Sequence, residues 1–197
     1  MEAVIKAKPK SSRWQAWLIF LIPTIAMSAA WFVYFTGVGI PDGRTNKGEL
    51  ILPSALLSEL QLNDGSSLVE QQQLEGRWGV LVFGSVSCEQ QGCQDSLYKT
   101  RQVHIALGKE SDRLMRLYVA PETPVISERI RQEHPEMLWL HTSKALSLKA
   151  LNVEKWPENQ FYIVDPLGNI MMKYKPGQVG GDLLKDLKKL MKASKVG

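Results

Sequence analysis

Apolar positions along the chain fall into three patterns. The first is a run of 28 residues without a charge, from Trp14 to Pro41. Its heart, Trp17 to Phe35, is long enough to cross a bilayer, which takes about 20 residues of helix. Trp14 and Trp17 stand at one end and Trp31 and Tyr34 near the other, as aromatic side chains mark the two interfaces of a membrane. Pro23 kinks such a helix without ending the span. The second pattern is a set of short apolar runs, the signature of buried strands: Gly79 to Phe83, Leu114 to Ala120 and Met137 to Leu140. Gln160 to Val164 and Ile170 to Tyr174 pair across the turn Asp165-Pro-Leu-Gly-Asn169, and Asp64-Gly65 marks a further hairpin-type turn.

The third pattern has helical spacing. A helix is predicted from about Gln94 to Leu107, closed by Gly108, a second from Pro124 to about Glu133, and a short third from Ser143 to Leu151. The last carries Leu183, Leu184, Leu187, Leu190 and Met191 on one face. Its other face holds Lys185, Lys188, Lys189 and Lys192, a solvated charge set, while Asp182 at the start and Lys192 and Lys195 at the end complement the helix dipole. Strands alternating with helices, then a hairpin and a final helix, specify an α/β fold with a mixed sheet covered on both faces. The expected organisation is an N-terminal tail (1–13), a transmembrane helix (14–36), a linker (37–48) and a folded domain (49–197).

Composition narrows the class. Of 197 residues, 44% are hydrophobic and 22% charged, enough for a folded core and too apolar for a disordered chain. The net charge of +4 divides evenly, +2 up to position 42 and +2 beyond it. Basic charge is therefore not concentrated on the folded part, and nucleic-acid binding is excluded. Lys6, Lys8, Lys10 and Arg13 precede the apolar span, which by the positive-inside rule puts the N-terminus in the cytoplasm and the domain outside. In a bacterium that is an inner-membrane protein with a periplasmic domain. A cleavable signal peptide is the alternative, since Ala26 to Ala30 offers small residues. A signal's apolar stretch is about 7–15 residues, however, and this one continues to Phe35.

The candidate chemistry lies in Phe83-Gly-Ser-Val-Ser-Cys88-Glu-Gln-Gln-Gly-Cys93, which follows a predicted strand and precedes a predicted helix. Cysteines near a helix N-terminus gain thiolate character, and two this close can reach disulfide range. A static disulfide in an oxidising compartment is the competing reading. His104, 11 residues after Cys93, is about 16 Å away along the same helix and cannot share a metal with it. His134 and His141 are expected at the surface, at the two ends of the third strand. Trp78, Trp139 and Trp156 are expected to pack in or around the core. No Ser/His/Asp set, nucleotide loop or zinc spacing occurs.

With these residues the chain resembles the thioredoxin superfamily, and within it the Sco/SenC-type proteins of cytochrome c oxidase assembly. The resemblance covers most of residues 46 to 192. It rests on Gly76-Arg-Trp-Gly-Val-Leu-Val-Phe83, Val119-Ala-Pro-Glu-Thr-Pro124, Tyr162-Ile-Val-Asp-Pro-Leu-Gly168 and a single N-terminal anchor. It implies a thioredoxin-like mixed sheet preceded by one transmembrane helix. It also implies that Cys88 and Cys93 are the redox-active or copper-binding pair, with an oxidase subunit or another assembly factor as partner. Two departures stand out. The spacing here is C-x-x-x-x-C where the family has C-x-x-x-C, and the family's copper-ligand histidine falls on Pro157, flanked by Trp156, Glu158 and Asn159. Two thiolates without histidine suit Cu(I) and not Cu(II). A general thiol–disulfide oxidoreductase would normally carry C-x-x-C and a proline close before the late strand, where Asn159 falls here. A non-catalytic docking domain of an oxidase complex is the third reading.

Overall fold

The computed structural model describes residues 13–38, 45–69, 76–175 and 180–194. They form two compact units, Met1–Thr45 and Asn46–Gly197. Residues 1–12 of the expected tail, half of the linker expected at 37–48 (39–44), and Lys195 lie outside the described residues.

Among its described residues the first unit holds one helix, α1 (Arg13–Thr36), unbroken at Pro23. Its described side chains are exposed, the large apolar ones included. The stretch Trp17–Thr36 is long and apolar enough to cross a membrane. Its serine and threonine hydroxyls fold back onto the helix's own carbonyls: Thr24 on Phe20, Ser28 on Thr24 and Thr36 on Phe32. Polar groups satisfied within the segment are what a hydrocarbon environment demands.

The second unit is built on six strands: β1 (Glu49–Leu56), β2 (Trp78–Phe83), β3 (Leu114–Ala120), β4 (Met137–His141), β5 (Phe161–Val164) and β6 (Asn169–Tyr174). They form one sheet in the order β1-β6-β5-β2-β3-β4. β2, β3 and β4 run parallel, whereas β5 and β6 are antiparallel to their neighbours. Every residue of β2 and β3 is buried, and these central strands read as apolar runs, broken in β3 only by the buried Arg116. One face packs Trp78, Val80, Val82, Phe161 and Ile163 against α2 (Gln91–Leu107) and α5 (Gly180–Ala193). The other packs Leu81, Phe83, Leu117, Val119 and Tyr162 against the 3-10 turn Leu57–Leu60 and α4 (Lys144–Leu151). The expected mixed sheet with helices on both faces is present.

Three local departures have physical causes. β1 and the turn after it were not foreseen: most of the strand is partly or fully exposed, it contains Pro53, and its register with β6 shifts between Leu50 and Ala55. An edge strand of that kind lacks the alternation that betrays a strand. α2 begins at Gln91, three residues before the predicted start, which puts Cys93 on the helix and not in the loop. The helix predicted from Pro124 starts only at Glu128 (α3, Glu128–Glu133), after Ser127 in an extended conformation.

On α5 the buried face includes Asp186 beside Leu183, Leu187 and Met191. One carboxylate oxygen of Asp186 accepts the N–H of Lys47 (2.7 Å), the N–H of Gly48 (2.9 Å) and the hydroxyl of Tyr174 (2.8 Å). The start of the domain is thereby tied to its last helix. Gly48 has to be glycine here, because a Cβ would sit 2.5 Å from the Tyr174 ring.

Candidate functional site

Beyond the carboxyl ends of β2 and β3 the chain turns through Gly84 to Gln90 into α2, and Cys88 and Cys93 are joined there by a disulfide. Their Cα atoms are 5.3 Å apart, within ordinary disulfide geometry. Cys88 sits in the loop with φ 51, a left-handed conformation that non-glycine residues adopt at a cost of about 1–3 kcal/mol. Its N–H donates to the Ser85 hydroxyl at 3.3 Å. Cys93 lies in the first turn of α2, where its N–H bonds the Gln90 carbonyl. Helix N-terminus and loop thus meet at the pair, as the sequence led us to expect.

Three side groups frame the loop. Tyr118, from the middle of β3, donates its hydroxyl to the Ser85 carbonyl at 2.5 Å and stands 3.2 Å from the Cys93 sulfur. Burial pushes its pKa above the ordinary phenol value, so it remains protonated. Gly84 is obligatory beneath it, since a Cβ there would collide with the Tyr118 oxygen and ring. Trp156 donates its indole N–H to the Gly84 carbonyl at 3.0 Å and meets Phe83 edge-on, the packing role expected of it. Asn159, with φ 61, donates its N–H to the Phe83 carbonyl, and its side-chain amide lies against Gly92, next to Cys93. Sequence reading placed Asn159 near this site but missed Tyr118. The available signal was a tyrosine within a buried strand, beside a strand that is followed at once by glycine.

Both cysteines are fully buried. They pack with Leu97, Tyr118, Ala120, Ile126 and Ile130. Ile126, in the segment from Pro121 to Ser127, packs into that cluster, and the Val125 N–H on the Val86 carbonyl at 2.8 Å holds the segment to the loop. The pair is where the fold brings a loop and a helix N-terminus together, yet it is sealed.

The histidines fall elsewhere. His134 is not at the surface: it is 5% exposed, and its Nδ1 has no partner. Burial, with Arg116 and Arg101 nearby, holds its pKa down to about 4. His141 ends β4, half-buried, with its backbone bridged to Asn63. His104 lies 3.5 Å from Glu136. Among the described residues no three His, Cys, Asp or Glu side chains group as a metal site. Pro157, the position where the sequence resemblance expects the Sco-type histidine, is buried and offers no donor side chain, and both sulfurs are bonded to each other in this state. In this disulfide state the residues present offer no donor set for a resident copper ion.

The comparisons agree with this geometry. No curated protein matches the sequence. Among solved structures, apo Sco1 from Thermus thermophilus is 16% identical, covering 77% of this chain and 100% of that one with a TM-score of 0.57. Copper-bound ScoI from Arabidopsis thaliana is also 16% identical, covering 75% and 99% with a TM-score of 0.52. BsSco, described by a disulfide switch in a member of the Sco family of cytochrome c oxidase assembly proteins, is 15% identical, covering 78% and 100% with a TM-score of 0.50. Identities this low show a shared fold. The family model described as transmembrane-like, thioredoxin-like, C-terminal domain matches residues 78–194, more than half of the chain. With its disulfide at the strand-to-helix turn and its Sco-like thioredoxin fold, the chain belongs to that transmembrane-like, thioredoxin-like family.

Proposed function

We propose that this protein is a membrane-anchored accessory factor in cytochrome c oxidase assembly, acting by thiol–disulfide exchange at Cys88–Cys93. The observation that carries the reading is the disulfide itself, which joins a left-handed loop cysteine to the first turn of α2 on a Sco-like fold. Its partner is a cysteine-bearing oxidase subunit or another assembly factor. α1 anchors it in the bacterial inner membrane with the domain in the periplasm. Because both sulfurs are buried, exchange requires the Pro121–Ser127 segment or the cysteine loop to part first, so the resting pair is protected from casual thiols. Cu(I) transfer is the second form of this reading and belongs to the reduced pair alone, since the disulfide leaves no thiolate to bind the ion.

The test is oxidase activity in cells carrying Cys88→Ser with Cys93→Ser, together with capture of mixed disulfides by Cys93→Ser alone. Loss of oxidase activity and trapping of an oxidase subunit are expected. Full activity in the double variant would leave a docking role. A broad set of trapped periplasmic proteins would make this a general oxidoreductase.

A further inference from the structure

We infer that Tyr118 is a positioning residue that gives the two sulfurs unequal roles, receiving the Cys93 thiol when the disulfide opens and leaving Cys88 as the exchanging sulfur. The inference rests on the thiol-exchange reading above and adds the group that directs it.

The Tyr118 hydroxyl has one proton and spends it on the Ser85 carbonyl, 2.5 Å away in a buried site. In the disulfide state the Cys93 sulfur, 3.2 Å off, has no proton to offer, so the phenol oxygen keeps an unused acceptor position. That position is filled on reduction. A thiolate of a client dithiol attacks the Cys88 sulfur in line with the S–S bond, forming a new disulfide to Cys88. The Cys88–Cys93 bond breaks, and Cys93 leaves with the electron pair and takes up a proton. Its S–H then donates to the Tyr118 oxygen. The client's second thiolate attacks its own sulfur in the mixed disulfide and releases Cys88, so the client leaves oxidised and the pair is reduced by two electrons. Both sulfurs are equally buried, but attack on Cys93 would put the incoming group against Tyr118 and expel Cys88, leaving the phenol's acceptor position without a thiol to fill it. Tyr118 itself stays a phenol, because burial disfavours its charged form.

The hydrogen bond exists only in the reduced state, so it stabilises the dithiol against the disulfide. Removing it in Tyr118→Phe also frees the Ser85 carbonyl, but in both redox states, and that effect cancels in the equilibrium. For a hydrogen bond of ordinary net strength, the variant is expected to be harder to reduce by about fivefold in the exchange constant, about 20 mV for a two-electron couple. The full chain in detergent is equilibrated with graded dithiothreitol ratios, and its free thiols are mass-tagged. Tyr162→Phe, which removes a buried phenol hydroxyl bonded to Gln160 and touching neither sulfur, should show the wild-type value. An unchanged or higher potential in Tyr118→Phe overturns the inference, as does an equal shift in Tyr162→Phe. A second measurement needs no variant: wild-type disulfide treated with limiting glutathione is mapped for the mixed disulfide. Glutathione on Cys88 supports the assignment, and glutathione on Cys93 overturns it. A wild-type disulfide that exchanges with neither reagent defeats the thiol-exchange reading together with this inference. Normal exchange with no Tyr118 effect defeats the inference alone.

Discussion

At the scale of single residues, the cysteine pair was legible and its surroundings were not. Spacing and position picked out Cys88 and Cys93, because two thiols between an apolar strand and a helix are a local pattern. Tyr118 lies 25 residues from Cys93 and meets it only because β3 runs beside β2. His134 shows the same blindness in reverse. Its neighbours in sequence, Glu133 and Pro135, suggest surface, but the turn before β4 folds it inward near Arg116. Its folded pKa of about 4 lies below the ordinary 6.5, so between those values the unfolded chain binds the extra proton. Stability should therefore be complete above about pH 6.5 and fall as pH drops towards 4, by up to about 3 kcal/mol. Urea titrations of wild type and His134→Gln across that range test this. The variant should have the flatter profile, and two parallel profiles would show that His134 is not the group responsible.

Among the elements, strands that are mostly apolar are legible almost to the residue: Leu114–Ala120 is β3 as expected, with Arg116 its one charged position. Burial on both faces leaves composition as an unambiguous signal there. β1 had no such signal, since an edge strand answers to its partner and not to its own pattern. α5 was found by its leucines, yet the residue that does most on its buried face is the one that breaks the apolar pattern. Asp186 joins α5 to Tyr174 on β6 and to the backbone that leads into β1. Asp186→Ala leaves two backbone N–H groups and a buried hydroxyl without that acceptor, which should cost about 3 kcal/mol. A drop in the denaturant midpoint at unchanged slope would register it. A loss below about 0.5 kcal/mol, the usual range of surface substitutions, would mean that water replaces the carboxylate.

For the whole molecule, the division into an apolar helix and a folded domain was plain from charge alone, because a helix in water seldom runs 28 residues without a charge on its solvent face. The side of the membrane follows from four basic residues ahead of the span and is the simplest of these expectations to check. Protease added to spheroplasts should digest the domain while the anchor stays with the membrane fraction. Protection until lysis would reverse the orientation. The clamp at Asp186 has a mechanical consequence for such a tethered body. A pull through the N-terminal chain reaches the domain at Lys47 and Gly48, where it bears directly on α5 and β6. β1 and β6 stand at the far side of β5 from β2, the strand that leads into the cysteine loop. Load is thus first taken up by β6 and α5, at one edge of the sheet, and not at the loop that carries Cys88.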